Sequence, residues 1–184
     1  MSIALGPTTE QRIADLYRVP GKAEIVGGRI LMMSPTGDEP GDAAGAIYVR
    51  QREFAKRNGG RAYTDNVGFL VDLPNRKSFC PDAAYYTGPR AGMKFLSEAP
   101  VFAVEVRSEG DYGPAAEREM VAKRADYFAA GTKVVWDVDL LSDEVLRVYR
   151  ADPSEKPVVY RRGEMAEAEP AVPGWKFNVN DLFD

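Results

Sequence analysis

The sequence contains no histidine and a single cysteine, Cys80. Without histidine, neither a Ser-His-Asp nor a Cys-His catalytic group can be assembled, and zinc sites built on imidazole are excluded. One thiol can neither close an intrachain disulfide nor supply a cysteine-rich zinc site. It suits a reducing compartment, and the expected location is cytoplasmic. Positive charge is not in excess either: 24 Lys and Arg against 28 Asp and Glu give a net charge of −4 at pH 7. Such a chain does not hold a polyanion by bulk charge, so any contact with nucleic acid must be local. Long hydrophobic runs are also missing. The opening MSIALGPTTEQRIADL has no basic region followed by an apolar stretch, so neither a signal peptide nor a membrane span is expected. Any bound metal must then take mostly oxygen ligands, which favours Mg²⁺ or Mn²⁺, with Ca²⁺ also accommodated by such ligands.

What is present suffices for one domain over residues 1–184, with 45 % hydrophobic residues available for a core. Pro7 to Tyr17 reads as a short helix capped by Thr8 or Thr9. Ala23 to Met33 reads as two strands joined at Gly27-Gly28. Ser34 to Asp42 is rich in turn residues and reads as a loop. An amphipathic helix follows from Ala43 to Arg57, stopped by Gly59-Gly60. Strands are expected over 62–73, 79–86, 101–107 and 134–138. A helix is expected from Ala115 to Ala130, capped by Gly131, and an antiparallel pair over 145–149 and 157–162. The apolar tail, Trp175 to Phe183, should dock onto the body. A strand, helix, strand order around 101–138 implies one parallel crossover inside a mixed sheet.

Within this pattern, VFAVEVRS (Val101 to Ser108) places an acid inside a buried strand. Phe102, Val104 and Val106 share one face, and Ala103, Glu105 and Arg107 the other. A buried, unpaired carboxylate is strongly disfavoured, so Glu105 needs a cation, a metal or hydrogen-bond donors. In the next helix Ala116, Met120, Lys123 and Tyr127 fall at i, i+4, i+7 and i+11, one inward stripe that carries Lys123. Upstream, Asp82 follows Pro81 and opens the run AAYY, at a strand end or irregularity. Two carboxylates on neighbouring strands can hold one Mg²⁺, and a nearby lysine can polarise a water or neutralise charge on a phosphate. These groups are the minimum for metal-assisted phosphodiester hydrolysis.

Pro81-Asp82, then an apolar strand with Glu105 and a nearby cation, resembles the PD-(D/E)XK nuclease superfamily. More narrowly, the chain is similar to the Uma-type family of restriction endonucleases. The likeness rests on AEIVGGRILMMSP, Pro81-Asp82, Val104-Glu105-Val106, Lys123 with Tyr127, Gly131, Val135-Trp136-Asp137-Val138 and PAVPGW. The resemblance implies an α/β, restriction-endonuclease-like fold: a mixed, partly antiparallel sheet flanked by helices. It further implies Asp82 and Glu105 as ligands of Mg²⁺ or Mn²⁺, Lys123 in place of the signature lysine, and Glu24 as an additional acid. Lys123 takes that place because the position two after Glu105 is Arg107. DNA as substrate and a homodimer are implied with them. This chain departs from the family at Ser108-Glu109-Gly110, where Ser-Pro-Ser is common, and at Asp42-Ala43-Ala44, where a histidine is common.

Plainer readings exist for the same residues. Glu105 and Lys123 can form a buried ion pair in an inactive structural or interaction module. Lys123 can snorkel to water, Asp82 can be a turn acid, and Glu24 can be a surface charge beside Lys22 and Arg29. Arg107 can contact a phosphate or pair with Glu109 or Asp111, and the ion pair is the expectation. The helix side bearing Arg50, Arg52, Lys56 and Arg57 can approach a DNA backbone or be simply solvated.

Overall fold

A computed structural model describes residues 8–152 and 156–183. Helix α1 (Thr9–Leu16) opens with a reciprocal cap: the Gln11 amide donates to the Thr8 hydroxyl, and the Thr8 amide donates to the Gln11 side chain at 2.7 Å. The expected start at Pro7 lies outside the described residues. Strands β1 (Ala23–Val26) and β2 (Arg29–Met32) pair antiparallel. Gly27 and Gly28 both take positive φ, 56° and 71°, as a two-residue hairpin turn requires.

Helix α2 (Asp38–Asn58) begins five residues before the expected Ala43. The turn-like letters Asp38, Glu39 and Pro40 all suit a first helical turn. The acids complement the helix dipole, and the proline lacks an N–H that would have no partner there. Strand β3 (Arg61–Thr64) follows, then the short pair β4 (Phe69–Leu70) and β5 (Ser78–Phe79), then β6 (Ala83–Tyr86) and β7 (Phe102–Val106). The single strands expected over 62–73 and 79–86 are therefore each broken in two. The second break falls at Cys80-Pro81-Asp82, where the proline has no N–H for a ladder.

Helix α3 (Pro114–Ala129) connects β7 to β8 (Val134–Val138) and ends before Gly131, whose φ is 100°. Strands β9 (Leu146–Arg150) and β10 (Val158–Tyr160) form the expected antiparallel pair. A further hairpin, β11 (Met165–Glu167) with β12 (Lys176–Asn178), and a 3-10 turn at Val179–Leu182 close the chain. That hairpin was not expected, because three-residue strands are too short for alternation to register.

Six strands make the central sheet in the order β10-β9-β8-β7-β6-β3, and only β7 and β8 run parallel. Alternation along β7 and β8 divides the core. Phe102, Val104, Val106, Trp136 and Val138 pack beneath Ala43, Ala44 and Ile47 of α2 and the tail residues Trp175, Phe177, Val179 and Leu182. On the opposite face, Ala84, Tyr86, Ala103 and Val135 lie under Phe69, Phe79, Leu96 and Tyr127. Glu105 belongs to this second face, which α3 covers. Gln51 of α2 is fully enclosed, and neither of its amide atoms has a partner among the described residues. Among the described residues, no helix is long and apolar enough to cross a membrane.

Candidate active site

Three acids converge on the α3 face, each carried by a different element. Glu24 comes from β1, Asp82 from the break before β6, and Glu105 from near the end of β7. The break matters. Asp82 is freed from strand alternation but is tied back to β7, donating its amide to the Val104 carbonyl and accepting the Val106 amide at 2.7 Å through Oδ2. The dipeptide Pro81-Asp82 is thus a device for setting one carboxylate beside the strand that carries the other.

Lysines bridge these acids. Lys123 Nζ lies 2.8 Å from Glu105 Oε2 and 3.0 Å from Glu24 Oε1. One turn on, the Tyr127 hydroxyl donates to Glu105 Oε1 at 2.6 Å, with its ring stacked on Phe79 at 4.0 Å. Two of the four members of the inward α3 stripe, Lys123 and Tyr127, therefore reach the same carboxylate. Lys22 Nζ lies 2.5 Å from Asp82 Oδ1 and 2.7 Å from Asp65 Oδ1. Glu24 also accepts the Cys80 amide at 2.9 Å and pairs with Arg76, which donates in turn to Asp126 at 2.8 Å.

Electrostatics separate Glu105 from Glu24. Burial pushes the Glu105 carboxyl above its ordinary value; Lys123 opposes this, while Asp82 and Glu24 add to it. Burial would raise Glu24 too, but Lys123, Arg76 and the Cys80 amide outweigh it and hold that carboxyl below the ordinary range. For both lysines burial favours the neutral amine, yet the acids win. Asp82 and Glu105 hold Lys22 protonated, and Glu105 and Glu24 do the same for Lys123.

The structure brings together all four residues singled out in the sequence: Glu24, Asp82, Glu105 and Lys123. Glu24 is only 2 % exposed, so the surface-charge reading is excluded. Arg107 does not pair with Glu109 or Asp111. It grips Asp137 with two hydrogen bonds of 2.8 Å and pairs with Glu117 of α3. Sequence-separated partners on β8 and α3 outcompete the local acids because β7 and β8 run in register, Glu105 beside Asp137. Two members were missed. Lys22 sits just before β1, outside any helix or strand, where no periodicity marks an inward residue. Arg76 follows Pro74-Asn75, letters that suggest a turn, yet it is 6 % exposed and lies over the Phe79 ring.

Asp82 and Glu105 offer the hard oxygen donors that Mg²⁺ or Mn²⁺ prefers. Among the described residues no group of three or more such side chains surrounds one point. A site completed by waters needs only one or two carboxylates, so the donor set fits.

The model of one family, Uma2, described as "Putative restriction endonuclease", matches residues 13–180. Among solved structures, a crystal structure described as a "putative nuclease" from Anabaena variabilis superposes with a TM-score of 0.71 at 16 % identity. The match covers 93 % of this chain and 96 % of that one. At that identity the likeness is one of fold, and it supports the restriction-endonuclease-like architecture. No curated protein matches the chain.

Proposed function

The chain belongs to the Uma2 family, whose model spans residues 13–180, and on that premise we propose that it is a divalent-metal-dependent endonuclease hydrolysing DNA phosphodiester bonds. The observation that carries this is the meeting of Asp82 and Glu105 at one end of adjacent strands, with the Lys123 ammonium 2.8 Å from Glu105. Asp82 and Glu105 would hold Mg²⁺ or Mn²⁺. When bound, the ion would supply Lewis-acid polarisation of the phosphodiester and a more acidic water.

The protein's own groups do the rest. The Val106 amide and the Tyr127 hydroxyl each fix one carboxylate oxygen, which orients the acid pair in advance. Lys123 is held protonated, so it acts as a donor that orients the attacking water or stabilises charge on the phosphate, not as the base that removes a proton. Glu24 positions Lys123 and Arg76. Cutting both strands with a domain of this size takes two such sites, which makes a homodimer the functional unit.

The test is cleavage of duplex DNA in Mg²⁺, in Mn²⁺ and in chelator, together with Mn²⁺ calorimetry on wild type and Glu105→Gln. Metal-dependent cleavage, with stoichiometric Mn²⁺ binding lost in the variant, is expected. A wild type that neither binds Mn²⁺ nor cuts DNA overturns the proposal.

A second reading is an inactive structural module. The observation favouring it is that Lys22 and Lys123 already close both carboxylates as ion pairs. Absent Mn²⁺ heat, together with clear destabilisation of Glu105→Gln, selects this reading.

A further inference from the structure

A second polar cleft lies on the same rim of the sheet. It measures about 340 Å³ and is lined by Ser142, Asp143, Arg161 and Arg162. Strand register fixes its place. Glu105 pairs with Asp137, Asp137 with Arg147 and Arg147 with Val159, so Arg161 follows β10 at the end where Glu105 ends β7. Three strand spacings put the cleft roughly 14 Å from Glu105.

Both walls are built turns. On one, the Gly163 amide donates to Asn180 at 2.8 Å and the Arg161 amide to Glu164 at 2.5 Å. On the other, Leu141 and Glu144 amides donate to the Asp139 and Ser142 side chains at 3.1 Å. The Arg162 guanidinium lies over the Phe183 ring, 3.3 Å from its centroid, which restrains where the side chain can sit. No carboxylate among the described residues pairs with Arg162. Arg161 shares Glu144 with Arg147, at 3.3 and 3.4 Å, and Asp143 is the opposing charge in the wall.

We propose that this cleft is a subsite for a backbone phosphate of the DNA, bound by Arg161 and Arg162 with the Ser142 hydroxyl. It rests on the nuclease reading for its distance from the cut. At roughly 14 Å the cleft lies only a few phosphates along the backbone from the scissile one. The contact supplies affinity and register without reading bases. It also explains how a chain of net charge −4 holds a polyanion, by a local guanidinium pair.

The experiment is binding of a fluorescein-labelled 20-base-pair duplex in EDTA, followed by anisotropy across a KCl series. The wild type is compared with the Arg161→Gln/Arg162→Gln and Arg161→Lys/Arg162→Lys pairs, and with an Arg52→Gln/Arg57→Gln control on α2. Each lost phosphate contact lowers the log–log salt slope by about 0.9. The Gln pair is expected to lower the slope by about 1 to 2, the Lys pair to retain most of it, and the α2 control to leave it unchanged. An unchanged slope in a Gln pair that melts like wild type overturns the subsite, as does an equal drop in the α2 control. Duplex binding with this slope change but no cleavage in any metal sinks the nuclease reading and leaves the subsite standing. Cleavage with no slope change does the reverse.

Discussion

Lys123→Met separates a metal site from a structural ion pair. Methionine keeps the length and packing of the stem and deletes the ammonium, which lies 2.8 Å from Glu105 and 3.0 Å from Glu24. Breaking a buried pair from one side leaves an uncompensated charge, generally about 3–5 kcal/mol. Arg76 still serves Glu24, and Lys22 still acts on Glu105, so the lower end, about 3 kcal/mol, applies. For a chain of this size that is a drop in Tm of roughly 6–12 °C. The same deletion removes the cation that competes for Glu105 Oε2. If Asp82 and Glu105 form the metal site, Mn²⁺ binding tightens by roughly tenfold, the equivalent of about 1.4 kcal/mol. DNA cleavage falls by about 10²–10³ at the same time, because a donor aimed at developing charge is lost. Stability is read from thermal and urea unfolding, and affinity from calorimetry. Stability should return in the Glu105→Gln/Lys123→Met double variant, where both charges are gone. The reasoning is refuted by a Tm within 2 °C of wild type, or by Mn²⁺ affinity that fails to tighten while the single variant is strongly destabilised.

Other consequences follow from the same geometry. Lys22 and Lys123 are raised above the ordinary 10.5, so their contribution is complete below that pH and is lost as pH climbs past it. Urea midpoints measured from pH 9 to 11.5 should fall more steeply in wild type than in Lys22→Met. The Cys80 thiol is buried and pushed up to about 12, so iodoacetamide should leave it unmodified at pH 8 until urea unfolds the chain. Gln51→Met removes an enclosed amide with no partner among the described residues and should raise stability by about 1–2 kcal/mol, seen as a higher urea midpoint. Gly60→Ala places a Cβ 2.5 Å from the Tyr85 ring at a φ of 76°, and a lower Tm by several degrees is expected.

Several features of the site were already written in the sequence. An acid between valines identified Glu105, because alternation in a strand makes a buried carboxylate conspicuous. Helical spacing placed Lys123 and Tyr127 on one inward stripe, and both reach Glu105. Pro81 marked the irregularity at which Asp82 leaves the ladder. Gly27-Gly28 specified the hairpin that carries Glu24. The absence of histidine had removed whole classes of chemistry before any element was placed.

Tertiary structure decided the pairings. From its own hairpin Glu24 could equally have been a surface charge or the additional acid of the site, and it is buried because Arg76 and Cys80 close over it. Lys22 lies outside any helix or strand and has no period of its own, and its partners Asp65 and Asp82 are 43 and 60 residues away in sequence. Arg107 had acids nearby in the chain, but the parallel register of β7 and β8 gave it Asp137 instead. The same strand order carries Arg161 to the rim that holds Glu105. Periodicity is a property of one element, so it tells which way a side chain faces. Which charges meet depends on the order and register of strands, and those are set by the packing of the whole sheet.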